Sequence, residues 1–202
     1  MNKKPDQLNK VLKDDADLIR AFQSGNKRAF DDLVLTHKDK IFNLCYWYLQ
    51  DYQEANEQAQ ETFIKVFKAL KNFRFESSFS TWLHRITVNT CKNKIKSLEY
   101  RFREKTDSLD NPEMADHFNP GDGISDEIHS PDVALEKKQR SASVRKAING
   151  LPEAKKTMIV LRDIEGLSYE EIADITGLKQ GTVKSKLARA REDLKNKLKG
   201  AF

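Results

Sequence analysis

The chain has 202 residues, 38% of them hydrophobic and 33% charged, with a net charge of +5; the length allows one or two domains, and the basic balance suits a polyanionic partner. No apolar run approaches the roughly 20 residues needed to span a bilayer, no signal peptide opens the chain, and two isolated cysteines and four scattered histidines form neither a disulfide framework nor a metal-ligand spacing. The expectation is a soluble cytoplasmic protein without membrane insertion, cofactor or metal, and no nucleophile motif or acid–base set argues for an enzyme.

Charge divides the sequence. Residues 1–103 carry a net +6 and residues 138–202 a net +7, whereas residues 104–137 carry a net -8 together with three of the five prolines and the Gly121-Asp122-Gly123 turn. That pattern predicts an N-terminal tail (1–14), a helical domain (15–100), an acidic linker (101–137) and a second helical domain (138–202). Each domain alone is more cationic than the whole chain suggests, so nucleic acid is the economical partner through counterion release.

In chain order, residues 15–23 and 27–49 read as helices, the second burying Phe30, Leu33, Val34, Ile41, Leu44, Cys45 and Tyr48 at helical spacing. A third helix spans about 52–70, with Phe63, Val66, Phe67 and Leu70 on its later apolar face. Strands would need period-two alternation, which no useful length shows, so the fold class is all-α: a helical bundle followed by a smaller helical domain. Cys45 and Cys91 fall within helical patterns and read as structural.

The segment NFRFESSFSTWLHRITVNTCKNKIKS, residues 72–97, sets aromatics and serines beside a basic helix. Its loop runs from Phe73 to Phe79. In the following helix Trp82, Arg85, Asn89, Lys92 and Lys96 recur at steps of three, four, three and four, one stripe combining an indole, a guanidinium, an amide and two ammonium groups. Such a stripe suits separating DNA strands, since aromatics stack on unpaired bases and cations hold the backbone. The loop serines and aromatics could line a pocket for a flipped base. Ordinary core packing is expected to claim at least two of Phe73, Phe75, Phe79 and Trp82.

Near the C-terminus, SYEEIADITGLKQGTVKSKLARAREDL, residues 168–194, specifies a helix-turn-helix. Ser168 and Glu171 form a capping-box pattern that starts one helix near Tyr169, and Gly177 stands where the turn requires a positive φ. In the second helix Val183, Leu187, Ala190, Leu194 and Leu198 make the inward stripe. Opposite that stripe lie Ser185, Ala188, Arg189 and Glu192; since a recognition helix presents its N-terminal residues to base edges, Gln180, Thr182, Ser185 and Arg189 are candidate base readers, with Lys184, Lys186 and Arg191 as candidate phosphate contacts.

Taken together, AQETFIKVFKALKNFRFESSFSTWLHRITVNTCKN and LPEAKKTMIVLRDIEGLSYEEIADITGLKQGTVKSKLARAREDLKNKL resemble, in this order, regions 2 and 4 of the sigma-70 superfamily of bacterial RNA polymerase sigma factors. The resemblance is to the small two-domain extracytoplasmic-function (ECF) group and covers nearly the whole chain. It implies a non-enzymatic subunit of core RNA polymerase that reads the minus-35 promoter element with the C-terminal helix-turn-helix and helps to melt the minus-10 element with the N-terminal domain. By position, Gln60, Glu61 and Thr62 would be exposed polar contacts to the polymerase clamp, with Phe63 inward. The loop Arg74, Phe75, Glu76, Ser77, Ser78, Phe79 would capture a flipped minus-10 base, and Asn89 would touch the promoter. Where the family commonly has Asp-Ala-Glu-Asp, this chain has Glu54, Ala55, Asn56 and Glu57, which places Asn56 among the expected clamp contacts. The linker is expected to thread toward the RNA exit path, its carboxylates imitating phosphates, and an anti-sigma factor is a further partner that the resemblance admits. A free-standing helix-turn-helix regulator is the alternative reading.

Overall fold

The computed structural model describes residues 14–105 and 142–199, with side chains described for 14–97 and 142–199. The sequence readings for the tail before residue 14 and for the linker over 106–137, its phosphate imitation included, lie outside these residues. All regular elements among them are helical: α1 (Asp15–Gln23), α2 (Arg28–Leu49), α3 (Tyr52–Leu70), α4 (Phe79–Lys105), α5 (142–149), α6 (Glu153–Ile159), α7 (Tyr169–Thr176) and α8 (Gln180–Lys199). No described helix is long and apolar enough to cross a membrane, and no group of three or more described His, Cys, Asp or Glu side chains could hold a metal ion.

Local chemistry sets the helix ends. Asp15 and Asp17 lie in the first turn of α1, where carboxylates complement the helix dipole. Gln50 closes α2 in the left-handed region at φ 61°; its backbone N–H donates to the Tyr46 carbonyl, and its side-chain amide donates to the Tyr46 and Trp47 carbonyls at the helix end. Asp51 then caps α3, accepting from the Glu54 N–H at 2.8 Å. α4 continues through Lys105, past the residue at which the sequence reading closes the N-terminal domain.

α1–α4 pack around Ile19, Leu33, Ile41, Leu44, Val66, Leu70 and Leu83, all fully buried. His37 is also buried, and its Nε2 lies 2.9 Å from the Asp15 carboxylate while its ring meets Phe79 edge-on at 5.3 Å. One imidazole thus ties α1, α2 and α4. Cys45 and Cys91 face each other from α2 and α4; that contact and burial push the Cys45 thiol far above its usual range, which leaves it inert as a nucleophile.

In the C-terminal domain Ile148, Ile159, Leu161, Ile172, Val183, Leu187 and Ala190 form the core. α6 does not stop at Ile159 but widens into a π turn over Val160–Ile164, with Glu165 N–H donating to Val160 O at 2.9 Å. That turn has no signature in the hydrophobic pattern. It aims Asp163 toward α8 and Glu165 toward the N-terminal domain.

The two domains dock. Tyr48, at the end of α2, donates its hydroxyl to Thr157 at 3.1 Å, and Lys156 Nζ donates to the Tyr48 carbonyl at 3.1 Å. From one side of α4, Thr81 and His84 face Glu171 and Glu165, each at 3.5 Å, and Lys92 faces Glu153 at 3.5 Å. Burial lowers the Lys156 pKa to about 8, since its ammonium sits among groups that do not neutralise it.

Candidate nucleic-acid interface

The helix-turn-helix is built as its sequence requires. Ser168 accepts from the Glu171 N–H at 3.1 Å, and the Ser168 N–H donates to the Glu171 carboxylate at 2.8 Å, so the capping box is closed in both directions. Gly177 ends α7 at φ 69°, a conformation that costs glycine little, and α8 restarts at Gln180. Ile172, Ile175, Val183, Leu187 and Ala190 pin the two helices together and thereby fix the outward face of α8.

Among the candidate contacts on α8, Gln180, Lys184, Ser185 and Arg189 are exposed, while Thr182 and Lys186 are half-buried. Arg189, Gln180 and Lys186 make no hydrogen bond or ion pair among the described residues, so their polar groups are available to a ligand. Lys184 lies over the Tyr169 ring at 5.4 Å, with Arg162 over the same ring at 4.8 Å; the tyrosine steadies two cations near the start of α8. Arg191 departs from the expected set of phosphate contacts. Its Nε donates to Asp163 at 3.1 Å and its Nη2 bonds the other carboxylate oxygen, so this guanidinium closes α8 onto the π turn.

The second surface lies on α4 and the loop before it. Arg85, Asn89 and Lys96 are exposed, whereas Lys92 is drawn aside by Glu153 of the C-terminal domain. The stripe is therefore open at three of its four polar positions, and the fourth serves docking. Trp82 is half-buried, its ring 5.0 Å from Phe73 and 6.0 Å from Phe79. Phe73 and Phe79 belong to the core, which removes Phe79 from the surface expected of the loop. Their burial follows from position: Phe79 opens α4 against His37, and Phe73, three residues past the end of α3, is tied back by its N–H to the Leu70 carbonyl at 3.1 Å. Phe75, Arg74 and Ser78 are exposed and Ser77 half-buried; Ser78 shares its hydroxyl with Thr81 at 2.7 Å and caps the Thr81 N–H at 3.0 Å.

Two residues that the sequence reading passed over position this loop. Gln23 of α1 donates to the carbonyls of Leu70 and Phe73, at 3.2 and 3.0 Å, which clamps the chain between α3 and the loop. Arg20, one turn earlier, lies over the Phe75 ring at 5.3 Å. Nothing local announces these contacts, because their partners are about fifty residues away.

The third surface lies between α2 and α3. Val34, Lys38, Asp39, Phe42, Tyr52, Asn56, Ala59, Gln60 and Phe63 line an open groove of about 390 Å³. Asn56 and Gln60 are exposed along it, and Glu61 pairs with Lys65 at 3.5 Å. Thr62 does not belong to this polar row. It is completely buried and donates to the Gln58 carbonyl at 2.7 Å, because its position on α3 faces the bundle rather than the groove. Glu54 and Glu57 both meet Lys94 of α4, the latter at 3.8 Å, so the acidic pair joins α3 to α4 and leaves Asn56 outward.

Comparison with known proteins places these surfaces in a family. Residues 33–100 match the model for sigma-70 region 2 and residues 141–194 that for sigma-70 region 4. The RNA polymerase sigma-H factor of Pseudomonas aeruginosa is 44% identical over 178 residues, covering 88% of this chain and 90% of that protein. The ECF RNA polymerase sigma-E factor of Escherichia coli K12 is 38% identical over 181 residues, covering 90% and 92%. Among solved structures, CnrH in complex with the cytosolic domain of CnrY superposes with a TM-score of 0.65 at 25% identity, covering 93% of this chain and 97% of that one. The sigma factor RpoE of Bartonella quintana, in complex with the anti-sigma factor NepR, gives a TM-score of 0.63 at 26% identity over 84% and 96%. A region 2 fold followed by a region 4 helix-turn-helix, with close relatives along nearly its full length, places the chain in the sigma-70 family, in the ECF group of RNA polymerase sigma factors.

Proposed function

We propose that this chain binds core RNA polymerase, reads the minus-35 element with α8 and the minus-10 element with α4 and its preceding loop, and promotes strand opening without catalysing a reaction itself. The observation that carries the reading is the presence of two different polar readers in one chain. Gln180 at the start of α8, with Ser185 and Arg189 on its outward face, suits duplex edges, and the Trp82, Arg85, Asn89 and Lys96 stripe suits a single strand. The groove between α2 and α3, with Asn56 and Gln60 exposed over an apolar floor, is the surface offered to the polymerase. The setting is the cytoplasm, where polymerase and promoter meet.

The docked domains must part for this work. Elements named for positions about 25 base pairs apart lie about 85 Å apart at about 3.4 Å per pair, whereas a domain of roughly 90 residues is only about 30 Å across. An anti-sigma factor is a partner consistent with the two superposed complexes; it would act by holding both domains away from promoter and polymerase.

Reconstitution tests the proposal. Core polymerase supplied with this chain should start transcripts at discrete sites on genomic fragments, and those sites should share two spaced sequence elements. Sequence-specific duplex binding without any transcript would instead indicate a free-standing regulator.

A further inference from the structure

We propose that the minus-10 reader extends onto α1, where Arg20 and Phe75 form a platform on which an unpaired nucleobase of the promoter strand stacks against the guanidinium plane. The inference rests on the proposed reading of the loop as a single-strand site. Phe75 stands at φ 58°, a left-handed conformation that bulky residues rarely adopt and that glycine takes freely. The fold gains little core from it, since Phe75 is 40% exposed. What this backbone does is turn the ring outward beneath Arg20, whose guanidinium carbon is 5.3 Å from the ring centroid. The phenyl ring also meets Phe73 edge-on at 5.0 Å.

Phe73 in turn lies 5.0 Å from Trp82, so guanidinium, phenyl, phenyl and indole follow one another from α1 through the loop to the α4 stripe. Gln23 fixes the near end of that row through its two carbonyl contacts. The Arg20 side chain is 66% exposed, and its one ion pair, to Asp17 at 3.5 Å, is a surface contact too weak to withhold it. A guanidinium held near an aromatic ring and largely open to solvent offers a stacking surface for a base as well as a cation for the adjoining phosphate.

Holoenzyme assembled from core polymerase and this chain, titrated with a fluorescent single-stranded DNA that it selects from a random pool, tests the assignment. Each base of the probe is replaced in turn by an abasic site. In the wild type, one abasic position next to the loop contacts should weaken binding about tenfold, equivalent to about 1.4 kcal/mol. Arg20→Ala should weaken the intact probe by the same factor and lose its response to that abasic site, with an unchanged thermal unfolding midpoint. Arg20→Lys keeps the charge without the plane and should behave like Arg20→Ala at that position. An abasic profile in Arg20→Ala identical to the wild type, or full recovery in Arg20→Lys, would overturn the stacking role. Failure of the wild-type holoenzyme to bind any single-stranded probe would instead overturn the minus-10 reading itself, and this inference with it.

Discussion

Arg189 carries the sharpest expectation for the duplex. It is exposed on α8 without a partner among the described residues, one turn from Ser185 on the same face, so a bidentate contact to a guanine edge is open to it. Arg189→Ala should cost about 1–3 kcal/mol of discrimination at one base pair of the minus-35 element. Lys186→Ala should weaken all sequences alike and reduce the salt dependence by about one charge. Binding to a set of single-base variants across a salt series separates the two. Retained sequence preference in Arg189→Ala would reverse the assignment of the groove face. Arg191, given the same role by sequence alone, is not expected to behave like either, since removing it breaks the Asp163 contact and loosens α8 from the π turn. Phe75 allows a separate test of backbone conformation. At φ 58°, Phe75→Gly should be more stable than Phe75→Ala by about 1 kcal/mol, because both lose the ring but only glycine suits the left-handed region. Equal unfolding midpoints for the two variants would contradict that.

Among the elements, the helix-turn-helix is the most legible in sequence and the π turn the least. Ser168, Glu171 and Gly177 encode a cap and a turn through bonds that span three or four residues, which a linear pattern can display. The pairing of Asp163 with Arg191 and of Glu165 with His84 depends on a one-residue widening of a helix whose apolar spacing looks ordinary. The same distinction holds in the N-terminal domain. The α4 stripe is visible at helical spacing, but the diversion of Lys92 to Glu153 and the clamping of the loop by Gln23 join residues 61 and about 50 positions apart. Thr62 misled for a related reason: a polar side chain that bonds the carbonyl four residues back can enter a core, and its sequence neighbours do not reveal that. The capping box itself is open to measurement. Ser168→Ala should destabilise the C-terminal domain by about 1 kcal/mol. The Ser168 N–H donating to Glu171 holds its carboxyl below the usual range, so the contribution is present above the unfolded carboxylate pKa and is lost as pH falls through the lowered folded value. Denaturant unfolding should show the gap between wild type and Glu171→Ala, which removes the acceptor of the Ser168 N–H, narrowing in acid; a constant gap would argue that the carboxylate takes no part.

At the scale of the whole molecule, the proposed function sets docking and promoter engagement in competition for the same chain. Lys156 lies at the centre of the docked face, buried beside Cys91 and the Tyr48 carbonyl, with Glu153 and Lys92 paired nearby. Burial lowers its pKa from 10.5 to about 8, so an open form that returns Lys156 to water would bind more protons between these values than the closed one. Docking should therefore strengthen as pH rises from about 8 toward 10.5, and the full penalty of the buried ammonium should persist below that window. Energy transfer between dyes on the two domains would follow the change, and Lys156→Met, which removes the charge but keeps much of the volume, should close the domains and flatten the pH response. A wild-type signal independent of pH across that window would contradict the role given to Lys156.

The central claim is that one chain places a duplex reader and a strand-opening reader on the same polymerase. Run-off transcription by core polymerase on a selected promoter, supplied both as duplex and with its minus-10 segment already unpaired, tests it most directly. The wild-type chain should stimulate both templates; the double variant Arg85→Ala, Asn89→Ala should fail on the duplex and recover on the premelted template, and Arg189→Ala should fail to recover on it. Equal stimulation by all three chains on both templates, or no stimulation by the wild type, would contradict the account.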